Sequence, residues 1–383
     1  MRRILMTLLL AGTALPAAPA GAATAPKQPD KGPGGADYAA AEVVKRSVGR
    51  AGAATYVFHA AGPAAAPRPV VVLLHSWGAA NPMIYGGWIE HLARRGNLVL
   101  FPRFQDVNRT RPADAPAAAA ALVRDALSAL AEDAEARPDP ARLAYLGHLA
   151  GSAIALNLAA DAGADGLPKP KLVFALMPGG IASDPKARGI PLEDLATVDR
   201  DTLLIAMSGD RDHLPTDRAA RRILKESAAI PTTRKLFMRA GSDDHGFPTL
   251  TATLASPGSP KADYDAAAIK VEPDPPRDPK QKGPVWRWSA DMALTGEQTI
   301  LTAQLQQNVT DSLDYWAYWK TLDFALDAAF AGKDAAFLKN NPRFVDMGAW
   351  TDGWPVRRLS ADMPKPEVQG ETAPAQPGPR QRL

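Results

Sequence analysis

No cysteine occurs among the 383 residues, which excludes a disulfide framework, a thiolate-held metal centre and a cysteine nucleophile. An excess of charge is missing too. The 44 Lys and Arg face 41 Asp and Glu, with no Lys/Arg block longer than two, so the clustered basic surface that nucleic acid requires is not expected. Nor is there an apolar run long enough to cross a bilayer: Ile4 to Leu15 covers about 12 residues where roughly 20 are needed. That run follows Arg2 and Arg3 and leads to Ala20-Gly21-Ala22, the small-residue pattern that a signal peptidase cuts. The expectation is therefore an exported protein, periplasmic or secreted, with residues 1–22 removed and no integral membrane association. No cysteine follows the run, so a lipid anchor is excluded. What is abundant is apolar: 46% hydrophobic residues can bury a large core, which rules out disorder over most of the chain.

The chain divides by composition. Residues 23–52 read as a flexible lead, rich in Ala, Pro and Gly between 23 and 37. From Ala53 to about residue 254, short β-branched runs alternate with helical patterns. Thr55–His59, Val70–Leu74, Leu98–Phe101, Leu143–Leu146, Leu172–Met177, Thr202–Met207 and Lys235–Met238 are expected strands. Trp88–Arg95, Ala115–Ala136, Ala150–Asp161 and Asp217–Ser227 are expected helices. This alternation implies an α/β fold with a mostly parallel sheet covered on both faces. Residues 255–290 hold seven prolines between Pro257 and Pro284 and read as an exposed loop. Residues 291–360 resume as helices. The helical spacing of Tyr315, Tyr318, Trp319, Leu322, Leu326 and Phe330 predicts a face packed on the sheet; an aromatic wall for an apolar substrate is the sharper alternative. Residues 361–383 form a tail.

The chemistry concentrates where Leu143–Leu146 runs through Gly147-His148-Leu149-Ala150-Gly151-Ser152 into a helix. Glycines two before and two after a residue at such a turn let strand and helix approach closely and leave the middle residue strained above the sheet edge. Downstream, Gly209-Asp210-Arg211-Asp212 follows a strand, and Gly241-Ser242-Asp243-Asp244-His245-Gly246 follows the next. Upstream, His75-Ser76-Trp77-Gly78 follows the buried strand Val70–Leu74. These motifs, in this order, resemble the α/β-hydrolase family, loosely its exported dienelactone-hydrolase-like and polyester-esterase-like members. The resemblance covers about residues 55–248, with the C-terminal helices added. It implies a doubly wound sheet of α/β-hydrolase type and a carboxylic-ester hydrolase site. Leu149 would hold the nucleophile position, Asp212 would be the acid with Asp210 as second choice, and His245 the base. The N–H groups of Trp77 and Ala150 would form the oxyanion hole, and Gly147, His148 and Gly151 the elbow. The family's elbow has serine where this chain has Leu149, and Ser76 stands where its oxyanion segment has glycine.

Leucine has no lone pair, so the covalent route needs a group this position does not supply. Ser152, one helical turn on, is the second-choice nucleophile. The readings that follow are an esterase-type scaffold silent by the serine route, a non-catalytic protein binding a small ester or apolar ligand, an Asp/His acid–base enzyme that needs no nucleophile, and an interaction role for the Pro-rich loop. His59, His91, His148 and His213 lack paired ligand spacing, so no metal is implied. No glycine loop has a phosphate- or dinucleotide-binding form, so no cofactor is implied.

Overall fold

A computed structural model describes residues 21–106, 109–184, 187–211, 216–276, 287, 289, 292–294 and 298–364. Nine strands form one sheet in the order β1-β2-β4-β3-β5-β6-β7-β8-β9. In chain order they are β1 (Val43–Arg50), β2 (Ala53–Ala60), β3 (Arg68–Leu74), β4 (Leu98–Pro102), β5 (Pro138–His148), β6 (Leu172–Leu176), β7 (Leu203–Gly209), β8 (Lys235–Ala240) and β9 (Ser360–Asp362). The six from β4 to β8 in spatial order run parallel; β1 and β2 at one edge and β9 at the other are antiparallel. β6 and β7 are buried along their whole length, as unbroken apolar strands require when helices cover both faces.

The helices are α1 (Gly86–Arg94), α2 (Ala115–Ala129), α3 (Ala150–Ala160), α4 (Thr216–Glu226), α5 (Gln298–Gln307), α6 (Lys320–Phe330) and α7 (Ala335–Lys339), with a π-helical turn at Leu313–Trp319 leading into α6. One core packs α1 and the C-terminal helices on one face of the sheet, through Trp88, Ile89, Leu92, Tyr318, Trp319, Leu322 and Leu326. The other packs α2, α3 and α4 on the opposite face, through Val123, Ile154, Leu156 and Ile223. The expected aromatic face is thus buried packing at Tyr318, Trp319, Leu322 and Leu326, while Tyr315 and Phe330 lie partly buried at its margin. Among the described residues no helix is long and apolar enough to cross a membrane.

Four expectations need correction. The lead contains β1, paired along its whole length with β2; its half-buried, Lys- and Arg-bearing sequence suits an edge strand and hides its apolar pattern. Residues 23–37 are tied down as well. The Gly34 N–H donates to Asp323 (2.7 Å), the Phe247 N–H to the Ala23 carbonyl (2.8 Å), and the Thr351 N–H to the Thr24 carbonyl (3.0 Å). The start of the Pro-rich stretch packs too, because proline keeps its carbonyl as an acceptor: the Trp88 indole donates to the Pro257 carbonyl (2.9 Å), and Tyr264 is buried. Residues 277–286 of that stretch lie outside the described residues. Finally, α2 stops at Ala129, where Asp133 closes a turn by accepting from the N–H groups of Glu135 and Ala136, and Pro138 opens β5 instead of merely ending a helix.

Candidate functional site

β5 passes into α3 through Leu149, whose backbone is at φ 50° and ψ −114°. A leucine there is strained, since the Cβ group disfavours positive φ and such residues cost about 1 to 3 kcal/mol each. Three hydrogen bonds hold it: its own N–H donates to the Leu176 carbonyl (3.0 Å), and its carbonyl accepts from Ser152 (2.9 Å) and Gly179 (3.3 Å). Met177, at the end of the neighbouring strand, has φ 49°. The two strained non-glycine residues of the described chain are therefore adjacent, at the carboxyl ends of β5 and β6. A Cβ on Gly147 would lie 2.4 Å from the Gly151 carbonyl oxygen, and one on Gly151 would lie 1.9 Å from that of Leu74. Both positions require glycine.

The Leu149 side chain is 5% exposed and faces Gly179. Ser152 is fully buried, and its hydroxyl donates to the Gly147 carbonyl (2.8 Å), so that group braces the turn. Trp77 and Ala150 are buried, and neither backbone N–H finds a protein acceptor among the described residues. Such unspent donors near the first turn of a helix suit an anion or a polarised oxygen. The Ser76 hydroxyl is buried without a partner among the described residues.

His148 links these parts. A carbonyl can only accept, so its contact with the Leu254 carbonyl (2.9 Å) puts the proton on Nε2. Burial pushes its pKa down to about 4, so the ring is neutral and Nδ1 accepts from the Tyr85 hydroxyl (2.8 Å). The Tyr85 oxygen in turn accepts from the Ser76 N–H (3.1 Å), and burial pushes the phenol up to about 12. Tyr85→Phe would strand a buried donor and a buried acceptor together. We expect a loss of about 2 to 4 kcal/mol, read from urea unfolding.

His75 is likewise buried, stacked on Phe104 at a centroid distance of 4.0 Å, and burial pushes it down to about 4. Both histidines refuse protons that the unfolded chain accepts at its ordinary value of 6.5. Stability should therefore be fully present above pH 6.5 and fall as pH drops toward 4, by up to about 3 kcal/mol per histidine. The urea midpoint measured across that window checks the sign.

His245 lies in the loop after β8. Its N–H donates to Asp243 (3.0 Å), and its Nε2 meets Asp352 Oδ2 at 2.7 Å. The ring stacks on Trp354 (5.4 Å between centroids, 14° between planes) and tilts against Trp350. Asp243 feels opposing influences: burial raises its pKa, but the N–H groups of Arg357 and His245 outweigh that and hold it below the usual range. Asp210 does not reach His245. Its Oδ1 accepts from the Ser242 hydroxyl (2.5 Å), and its Oδ2 accepts from the Ser242 N–H (2.9 Å) and pairs with Arg357 (3.4 Å). Asp212 lies outside the described residues. β5 and β8 are three strand spacings apart in the sheet, roughly 14 Å at about 4.8 Å each. No hydrogen bond or ring contact among the described residues joins His245 to residues 147–152.

Nothing in the motif pattern points to Tyr85, Asp352 or Trp354. Asp352 and Trp354 follow His245 by more than a hundred residues and belong to no motif; only the turn-forming Asp352-Gly353 pair marks the place. Two clefts, of about 410 and 490 Å³, lie elsewhere: the first is lined by Arg95, Arg142 and Phe330 among others, the second by Tyr38, His91, Lys261 and Trp319 among others. No known protein family matches this chain, and no curated protein does.

Proposed function

We propose that the chain is an exported α/β-hydrolase-fold protein of carboxylic-ester hydrolase type whose serine route is silent at Leu149. The observation that carries this reading is the backbone of Leu149. A leucine gains nothing from φ 50° and ψ −114°, yet a strained turn that lifts one side chain above the sheet edge is what a nucleophile elbow demands. The order of parts supports it, with the turn at Leu149 after β5 and His245 after β8. The unspent N–H groups of Trp77 and Ala150 are the expected oxyanion donors.

A fluorophosphonate probe tests this directly. It should label Leu149→Ser at residue 149, found by mass spectrometry of the peptide, and leave the unmodified chain unlabelled. A folded Leu149→Ser protein that takes no label would overturn the esterase reading, and the two donors would then serve a bound small ester or apolar ligand without turnover. Export is tested separately: the mature protein should begin at Ala23, the residue whose carbonyl accepts from Phe247.

A further inference from the structure

We infer that Asp352, carried by the C-terminal segment, is the carboxylate that orients His245 and fixes its tautomer, in the role the motif order assigns to a residue after β7. A carboxylate accepts and does not donate when ionised, so the 2.7 Å contact places the ring proton on Nε2 and leaves Nδ1 as the basic nitrogen of the neutral imidazole. Asp352 is itself held in place, because its Oδ1 accepts from the Trp354 N–H at 3.0 Å while Oδ2 faces the ring. Trp354 then closes over the imidazole at 5.4 Å.

The segment that carries this pair is fastened to the histidine loop at independent points. Asp243 accepts from the Arg357 N–H (2.7 Å) with one oxygen and from the His245 N–H with the other. The Arg357 guanidinium reaches Asp210 and the Ser242 carbonyl (3.2 Å). Within the segment, the Gly353 N–H donates to the Trp350 carbonyl and the Trp350 N–H to the Trp354 carbonyl, both at 2.8 Å, so the turn presenting Asp352 is closed on itself. Both oxygens of Asp210 are occupied by Ser242 and Arg357, which makes it a brace for the loop. The charged groups around the imidazole are thus Asp352 and Asp243 on one side of the balance and Arg357, shared with Asp210, on the other. The pair is partly solvated, with side-chain exposures of 30% for His245 and 49% for Asp352, so its strength is that of a surface contact, and the stacked indole of Trp354 backs the orientation that the carboxylate sets.

The pairing stands on this geometry alone; its part in ester hydrolysis rests on the reading proposed above, where Asp352 would be a positioning residue. NMR of the unmodified full chain tests the pairing without any activity. In Asp352→Asn the ring ¹⁵N shifts of His245 should move away from the Nε2–H tautomer. Asp352→Glu should undo most of the change, and Asp210→Asn and Asp212→Asn should leave the tautomer as it is. An unchanged tautomer in Asp352→Asn, or a tautomer change produced by Asp212→Asn instead, would overturn the assignment. In the Leu149→Ser background, Asp352→Asn should lower kcat about tenfold with KM held. If Leu149→Ser shows no turnover while the NMR result holds, the hydrolase reading fails and the Asp352–His245 pair remains.

Discussion

Leu149→Ser is expected to hydrolyse p-nitrophenyl butyrate at least about 10³-fold faster than the unmodified protein, and His245→Ala in that background should remove the gain. Loss of the nucleophile in a triad enzyme costs about six orders of magnitude in turnover, so even partial recovery is large against a silent baseline. The backbone at 149 is already in the strained conformation, so serine would be presented without rearrangement. Its proton would pass to the imidazole as its oxygen bonds to the acyl carbon, and the departing alcohol would take that proton. The N–H groups of Trp77 and Ala150 would bear the oxyanion, each such donor typically being worth 10²- to 10³-fold. The same change should cost stability. Leu149 is almost completely buried, and giving up that apolar surface costs roughly 2 kcal/mol. A Leu149→Ser protein that unfolds at lower urea yet turns over ester would show that the leucine stabilises at the expense of chemistry. A folded variant with no turnover would sink the esterase reading.

Gly151→Ala should be the most damaging alanine substitution among the described glycines. The new carbon would sit 1.9 Å from the Leu74 carbonyl oxygen, 2.5 Å from the carbon behind it and 2.8 Å from the His75 carbonyl oxygen. All three atoms are backbone at the end of β3, a central strand paired on both sides with β4 and β5, so none can swing away as a side-chain tip would. Relief requires α3 to lift from the sheet, which would open a core of fully buried residues including Ala153, Ile154 and Leu156. The cost should exceed about 4 kcal/mol, and soluble folded protein should fall sharply. Gly163→Ala, where an added carbon meets nothing within 4 Å, is the control and should be close to neutral. A Gly151→Ala protein with the parent's urea midpoint would contradict the close approach of α3 to β3.

These two positions also mark what a sequence makes readable. Gly147 and Gly151 announce their turn because no other residue fits, and β6 and β7 announce themselves because burial on both faces leaves no polar alternation to mistake. β1 and β9 were not legible: each lies at an edge of the sheet, β1 carries Lys45 and Arg46, and β9 has three residues. The packing of residues 23–37 was hidden for another reason. Its hydrogen bonds go to Asp323, Phe247 and Thr351, so composition registers the glycines and prolines but not their distant partners. His245 was legible as a histidine following a strand, whereas its carboxylate was not, since Asp352 reaches it only through the closed turn of residues 350–354.

The joining of Ala23 and Thr24 to Phe247 and Thr351 has a consequence for the order in which the molecule opens. The Thr24–Thr351 bond closes a separation of 327 positions, and Thr24, Phe247 and Thr351 are exposed. Little apolar burial protects them, so amide exchange there should proceed by local opening well before the central strands exchange. Phe247 and Thr351 would then exchange at matched rates although they are far apart in the chain, and a deletion of residues 23–26 would speed both together. The histidine loop would behave as one cooperative unit with residues 23–24 and the turn of residues 350–354, separable from the sheet that carries it.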